Sequence, residues 1–399
     1  MLSKRAQSIT PAVTIELSAR ISQLNAQGQD IIKLNIGEPD FPPPKNVSAA
    51  AIEAVERNHA QYAPVPGIPE LRRAICDKLE QDNHISCTPE EICVSAGAKQ
   101  AILNAVLSIC DPGDEIILPT PCWVSYEEIV KLAGGVPVTV PCRAEEGFTL
   151  DLDAIRRAVT SRTKGIILCT PNNPTGAVYC EEELRRLAEL ALELKLYLIS
   201  DEIYEKLLYD DAVHFSIASI SPKVQSRCIT VNGFSKAYAI PGWRLGYSAA
   251  PPELAAGIRA IQGHMTSSAN TLAQWAGVQA LTGPQEFLAE MRLEYEARRD
   301  FMLRALRAMP GIQVQKASGA FYLFPDVSAY FGTRWEDFRI GSARDLAGYL
   351  LEEGQIAVVF GEAFLCPGHL RLSYANSMDN LHRAMERMAQ ALAKLNPTP

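Results

Sequence analysis

Lys236 stands in NGFSKAY (232–238), between the apolar run CITVNGF and the turn AYAIPGW, and among side chains only a lysine supplies the amine of a Schiff base. Asp201 closes the apolar run LYLISD, and a buried carboxylate beside a nitrogen favours that nitrogen's protonated form. Arg244 in PGWRLGY (241–247) and Arg371 in GHLRLSYAN (368–376) carry planar guanidinium forks suited to phosphate or carboxylate. Gly97, Ala98 and Lys99 follow another apolar run and open a helical pattern, a passage whose free N–H groups attract anions. Each type also has a plain structural reading. An aspartate after a strand is usually a helix cap, and a lysine in a loop is usually solvated.

These residues need rigid elements behind them. From about residue 90 to residue 250 the runs EICVSAG, EIILPTP, VPVTVPC, GIILCTP, LYLISDE, CITVNGF and LGYSAAP alternate with amphipathic segments such as KQAILNAVLSI and EEELRRLAELALELK. That rhythm predicts an α/β domain with a mostly parallel wound sheet. Ligands of such sheets bind beyond the carboxyl ends of the strands, where Gly97, Trp123, Asn173, Asp201 and Lys236 follow five strand candidates. Beyond residue 284 a long amphipathic helix and the strand-like runs GIQVQKA, AFYLFPDV, IAVVFG and LRLSYAN predict a smaller α+β domain. The expected division is an N-terminal arm (1–44) placed with the small domain, a large domain (45–285) reached through FPPPK, and the small domain (286–399).

A chain of 399 residues exceeds the usual size of one core, and 47% hydrophobic with 21% charged residues is ordinary for a globular protein. A net charge of -8 argues against nucleic acid as a partner. No stretch has the apolar length of a membrane span, and the first residues lack a signal-peptide core, so the expectation is a cytoplasmic protein with no membrane partner. The ten cysteines show no C-x-x-C and no His-Cys cluster, which disfavours structural disulfides and a metal site.

In order along the chain, SAGAK (95–99), TPNNPTG (170–176), SDEIY (200–204), NGFSKAY, PGWRLGY and GHLRLSYAN together resemble the fold-type-I aminotransferases. More narrowly they resemble class I enzymes of the prokaryotic aspartate aminotransferase type, and the resemblance runs from LNIGEPDF (34–41) to LRLSYAN. It implies pyridoxal 5'-phosphate as cofactor, held by Lys236 as a Schiff base, the same amine moving the substrate's Cα proton. It implies that Asp201 faces the pyridine nitrogen, that Tyr204 and Asn173 meet the ring's phenolic oxygen, and that Trp123 stacks on the ring. The phosphate then falls to Gly97, Ala98, Lys99, Ser235 and Arg244, with Tyr62 in QYAPVPG reaching it from the other subunit of a homodimer with shared active sites. Arg371 matches the arginine that binds the substrate's α-carboxylate. Ile36 and Gly37 resemble a strip that closes over bound substrate, with Trp123 and Asn173 also facing the substrate.

Some alternatives stay open. Trp123 and Tyr204 could be core aromatics, Asn173 a turn residue beside Pro174, and Arg371 half of a structural salt bridge. Gly233 departs from the serine many such enzymes carry three residues before the lysine, which leaves one phosphate contact missing or made by water. The expected reaction is ping-pong transfer of an amino group between an L-amino acid and a 2-oxo acid, with aspartate and 2-oxoglutarate favoured. Thr14 is a candidate for the distal carboxylate. Aromatic, alanine or broad-range substrates fit the same residues, as does a β-lyase on the same scaffold. A non-catalytic regulator would usually carry a DNA-binding domain ahead of LNIGEPD, where only residues 1–33 stand. A nicotinamide-binding G-x-G-x-x-G and a P-loop are both absent from the sequence.

Overall fold

Alternation along the strands decides the architecture. In a computed structural model, which describes residues 2–11 and 13–395 apart from the side chains of residues 13–16 and 18, a short strand β1 (Ile32–Lys33) precedes the seven of a large sheet. These are β2 (Ile92–Ser95), β3 (Glu115–Thr120), β4 (Val136–Pro141), β5 (Thr163–Cys169), β6 (Tyr197–Asp201), β7 (Cys228–Gly233) and β8 (Gly246–Ala249). Each coincides with one of the seven apolar runs. Their order across the sheet is β2-β8-β7-β6-β5-β3-β4, and β8 alone runs antiparallel to its neighbours.

Side chains of a strand point to opposite faces in turn, and the sheet uses both. Ile116, Leu118, Ile167, Ile199, Ile229 and Val231 face a core shared with the helix Ala98–Ile109, while Ile117, Ile166, Leu168 and Leu198 face the helix Glu181–Glu193 through Leu184 and Leu187. Burial on both faces is what makes these strands read as unbroken apolar runs.

The C-terminal part is led by the 22-residue helix Glu286–Arg307. It holds β9 (Tyr322–Leu323), the hairpin of β10 (Arg334–Trp335) and β11 (Phe338–Arg339), then β12 (Ile356–Ala357), β13 (Val359–Phe360) and β14 (Leu370–Ser373). β14 pairs antiparallel with β13 and β9, and β1 of the N-terminal segment pairs parallel with β12. One expectation fails here. GIQVQKA forms no strand, since its only pairing is an isolated bridge between Gln313 and Asp326. Among the described residues no helix is long and apolar enough to cross a membrane.

Candidate active site

The carboxyl ends of β2, β3, β5, β6 and β7 open into one cleft of about 820 Å³. It is lined by Ile36, Gly37, Ala98, Lys99, Trp123, Asn173, Asp201, Tyr204, Ser235, Lys236, Arg244 and Arg371, among others. Twelve residues singled out in the sequence therefore meet in one place, from segments far apart in the chain. Gly97 lies beside the cleft: its φ is +83°, and a Cβ built there would sit 2.4 Å from the Arg244 guanidinium. Only glycine lets the backbone and that cation close so tightly at the start of the helix Ala98–Ile109.

Lys236 is half-buried, and its Nζ donates to the Gly37 carbonyl. Burial is the main force on the amine, helped by Arg371 and Arg244 and opposed by Glu38 and Asp201, and it brings the pKa down to about 8. An amine so placed is substantially more nucleophilic at neutral pH than a surface lysine. Asp201 is 3% exposed and its pKa is pushed up to about 6 by burial, against the donors Tyr126 and Ile203. The Tyr126 hydroxyl donates to Asp201 Oδ2 at 2.6 Å, fixing the carboxylate's direction. Tyr204 O–H lies 2.8 Å from the hydroxyl of Tyr322.

Arg371 on β14 is 5% exposed. Its Nη1 donates to Asn173 Oδ1 at 3.1 Å, its Nη2 to the Asn35 carbonyl at 2.7 Å, and its Nε has no partner. Among the described residues no carboxylate pairs with it, so the salt bridge left open by the sequence is not formed. A buried guanidinium without an anion is costly. An anion brought from outside would relieve that cost.

Arg244 is exposed in a left-handed conformation (φ +53°), its Nη1 donating to the Pro241 carbonyl at 2.8 Å and its Nη2 to the Ala96 carbonyl at 3.4 Å. Trp123 stands edge-on to Tyr126 with centroids 5.4 Å apart, and Lys99 Nζ lies 4.9 Å over the Trp123 ring. Gly233 pairs with Gly246 across β7 and β8, where a Cβ would meet the Gly246 Cα at 3.1 Å. That close approach leaves little room for a larger residue. Tyr62 does not join the cleft within the chain and is 92% exposed. The Thr14 side chain lies outside the described residues.

Sequence reasoning missed Tyr126 and Tyr322. Tyr126 reads as an ordinary apolar position of the helix Ser125–Leu132, and its only signal was that a buried tyrosine hydroxyl usually finds a partner. Glu202, Glu205 and His214 also approach one another within 4.8 Å. Lys78 already pairs with Glu205 in that cluster, and His214 Nε2 lies 2.9 Å from Glu202.

The family model for aminotransferase class I and II matches residues 29–388. A protein of Aquifex aeolicus named probable aspartate/prephenate aminotransferase is 44% identical over 396 residues, 99% of each chain. An aspartate aminotransferase of Bacillus sp. strain YM-2 is 41% identical over 97% of this chain and 98% of its own. A crystal structure of the aspartate aminotransferase from Rhizobium meliloti superposes with a TM-score of 0.96 at 38% identity, covering 99% of this chain and 100% of that one.

Proposed function

Because the chain belongs to the class I and II aminotransferases, we propose that its cleft binds pyridoxal 5'-phosphate at Lys236 and transfers amino groups between dicarboxylic substrates, aspartate and 2-oxoglutarate first among them. The observation that carries this reading is the anion-free, buried guanidinium of Arg371 in the same cleft as Lys236 and Asp201.

The donor set suits that cofactor. A carboxylate buried beyond its comfort at Asp201 gains from a protonated ring nitrogen beside it, and Arg244 with the N-terminus of the helix Ala98–Ile109 suits a phosphate dianion. Pyridoxal phosphate, when bound, supplies the carbonyl carbon and the electron-withdrawing ring that acidify the substrate's Cα–H. Lys236 Nζ would take the proton from Cα and return it, a task matched by a pKa near neutrality. Tyr126 keeps the Asp201 carboxylate aimed. Tyr204 and Asn173 would hold the ring oxygen, Ser235 would add a hydroxyl donor to the phosphate, and Trp123 would pack against the ring. Arg371 and Asn173 orient the α-carboxylate, so that Cα comes within reach of Lys236. The Gly37 carbonyl, which holds the amine in this structure, must release it as substrate enters. The strip Ile36–Gly37 would then exclude water from the substrate's Cα. The exposure of Tyr62 within one chain supports a site shared across a homodimer.

A dicarboxylate needs a second cation. Of the cleft's cations, Lys236, Arg244 and Arg371 are engaged by the roles above; Lys99, expected from the sequence to serve the phosphate, lies over Trp123 instead and is the cation available for the distal carboxylate. Lys99→Ala is therefore expected to lower kcat/KM for aspartate and 2-oxoglutarate by about 10- to 100-fold, the worth of one charge-assisted hydrogen bond, and for alanine by less than about threefold. Steady-state kinetics with aspartate, glutamate, alanine and phenylalanine as donors, and 2-oxoglutarate and prephenate as acceptors, checks this. An equal loss for all donors would assign Lys99 to the cofactor. A wild-type preference for aromatic or neutral donors would defeat the dicarboxylate reading, and pyruvate with ammonia from cysteine-type substrates would mark an eliminating enzyme.

A further inference from the structure

Tyr322 lines the cleft between Tyr204 and Arg371, and none of the roles above uses it. It lies on β9 opposite Ser373 of β14, so Arg371, two residues before Ser373, is its diagonal neighbour on the same face of the sheet. That register brings ring and guanidinium together: Arg371 Cζ lies 4.5 Å from the centroid of the Tyr322 ring and 5.0 Å from that of Phe364. The far end of the side chain meets a different partner. The Tyr322 hydroxyl lies 2.8 Å from that of Tyr204, and a Cβ built on Gly37 would come to 3.0 Å from it. Both tyrosines are buried, and burial raises the pKa of each, so both keep their protons at neutral pH.

Two protons are therefore shared between two bonds. One hydroxyl donates to the other across the 2.8 Å contact, and the geometry lets either do so. With the cofactor placed as proposed above, the Tyr204 proton goes to the ring oxygen, and the bond between the tyrosines must take its proton from Tyr322. We infer that Tyr322 is a positioning residue with two separable functions: its hydroxyl donates to Tyr204 and so directs the Tyr204 O–H at the cofactor's ring oxygen, while its ring holds the Arg371 guanidinium in place for the substrate's carboxylate. A hydroxyl that accepts one hydrogen bond donates the next more strongly. The chain from Tyr322 through Tyr204 thus draws negative charge from the ring oxygen, which loosens the proton on the Schiff-base nitrogen at Lys236. The ring's part is a cation–π contact, made in a site where Arg371 has no carboxylate partner among the described residues.

The test is a pH titration of the cofactor's absorbance in the loaded enzyme, for wild type, Tyr322→Phe, Tyr204→Phe and the double variant. Tyr322→Phe is expected to raise the titration midpoint by about half to one pH unit, as loss of one buried hydrogen bond predicts. Because Tyr322 acts through Tyr204, adding Tyr322→Phe to Tyr204→Phe is expected to move the midpoint less than about 0.2 further. The ring is read separately. KM for aspartate is expected to stay within about twofold in Tyr322→Phe, which keeps the ring, and to rise about three- to tenfold in Tyr322→Leu, which loses it. An unchanged midpoint in Tyr322→Phe, or the same shift with and without Tyr204, would overturn the hydroxyl's function, and equal KM values in the Phe and Leu variants would overturn the ring's. A wild type with no cofactor band would overturn the cofactor reading and this inference with it, whereas failure confined to the variants would leave that reading intact.

Discussion

Lys236→Ala is expected to lower kcat by at least about 10⁴-fold, roughly 5 kcal/mol in the barrier, while the protein still folds. Two roles end together in this variant: the amine that anchors the cofactor, and the base that takes the Cα proton. Positioned proton transfer alone contributes about 10²–10⁴-fold. The fold should tolerate the change, because the side chain lies just beyond β7 and, among the described residues, its Nζ hydrogen-bonds only the Gly37 carbonyl, with the Tyr204 and Phe321 rings nearby. Thermal unfolding and a single half-reaction with aspartate, followed by absorbance, measure the two effects separately. The wild-type amine also has a pH signature. With the pKa lowered to about 8 by burial, the neutral, nucleophilic form rises from ~10% at pH 7 to half near pH 8, so cofactor incorporation into apoprotein should accelerate through that window. A rise delayed to pH 10 would describe a solvated lysine. Turnover retained in Lys236→Ala would remove the residue from its role.

Arg371→Lys is expected to reduce kcat/KM by about 10²- to 10³-fold, with cofactor affinity changed less than about threefold. Lysine keeps the charge but loses the planar fork. The two contacts that now orient the guanidinium, to Asn173 Oδ1 and the Asn35 carbonyl, would leave the three-donor ammonium a single N–H for the carboxylate, too few for a bidentate contact. A loss of about 3–4 kcal/mol follows from substituting a single point contact for a bidentate one inside a buried pocket. Substrate titrations of the holoenzyme, set beside cofactor titrations of the apoprotein, separate these effects. Comparable losses in both would make Arg371 a structural residue.

Six of the seven strands of the large sheet were legible because they are buried on both faces and so nearly unbroken in apolar character, as in Ile116–Leu118 or Leu198–Ile199, whereas the edge strand β4 is largely exposed and was legible from its valines. The antiparallel direction of β8 was not legible. Direction is set by the connection through Arg244 and Leu245, where the chain folds back against β7, and no periodicity encodes it. In the C-terminal part the strands are two to four residues long, too short for alternation to announce itself, and GIQVQKA, which alternates, pairs only at Gln313. At the site, motif residues carried their own signal through unusual type and position, as Lys236 and Arg371 do. Tyr126 and Tyr322 did not, because a tyrosine in an amphipathic helix or an apolar strand looks like core until its hydroxyl's partner is known. The lack of an anion for Arg371 was equally invisible, since its neighbours Asn35 and Asn173 come from distant parts of the chain.

The most direct test is chemical: reduce the pyridoxal-phosphate-loaded enzyme with borohydride, digest it, and find the residue that carries the cofactor's mass. One labelled peptide is expected, with the modification on Lys236 Nζ and none on Lys99. A label on another lysine, or protein that stays colourless and unmodified after reconstitution, would contradict the assignment on which the site rests.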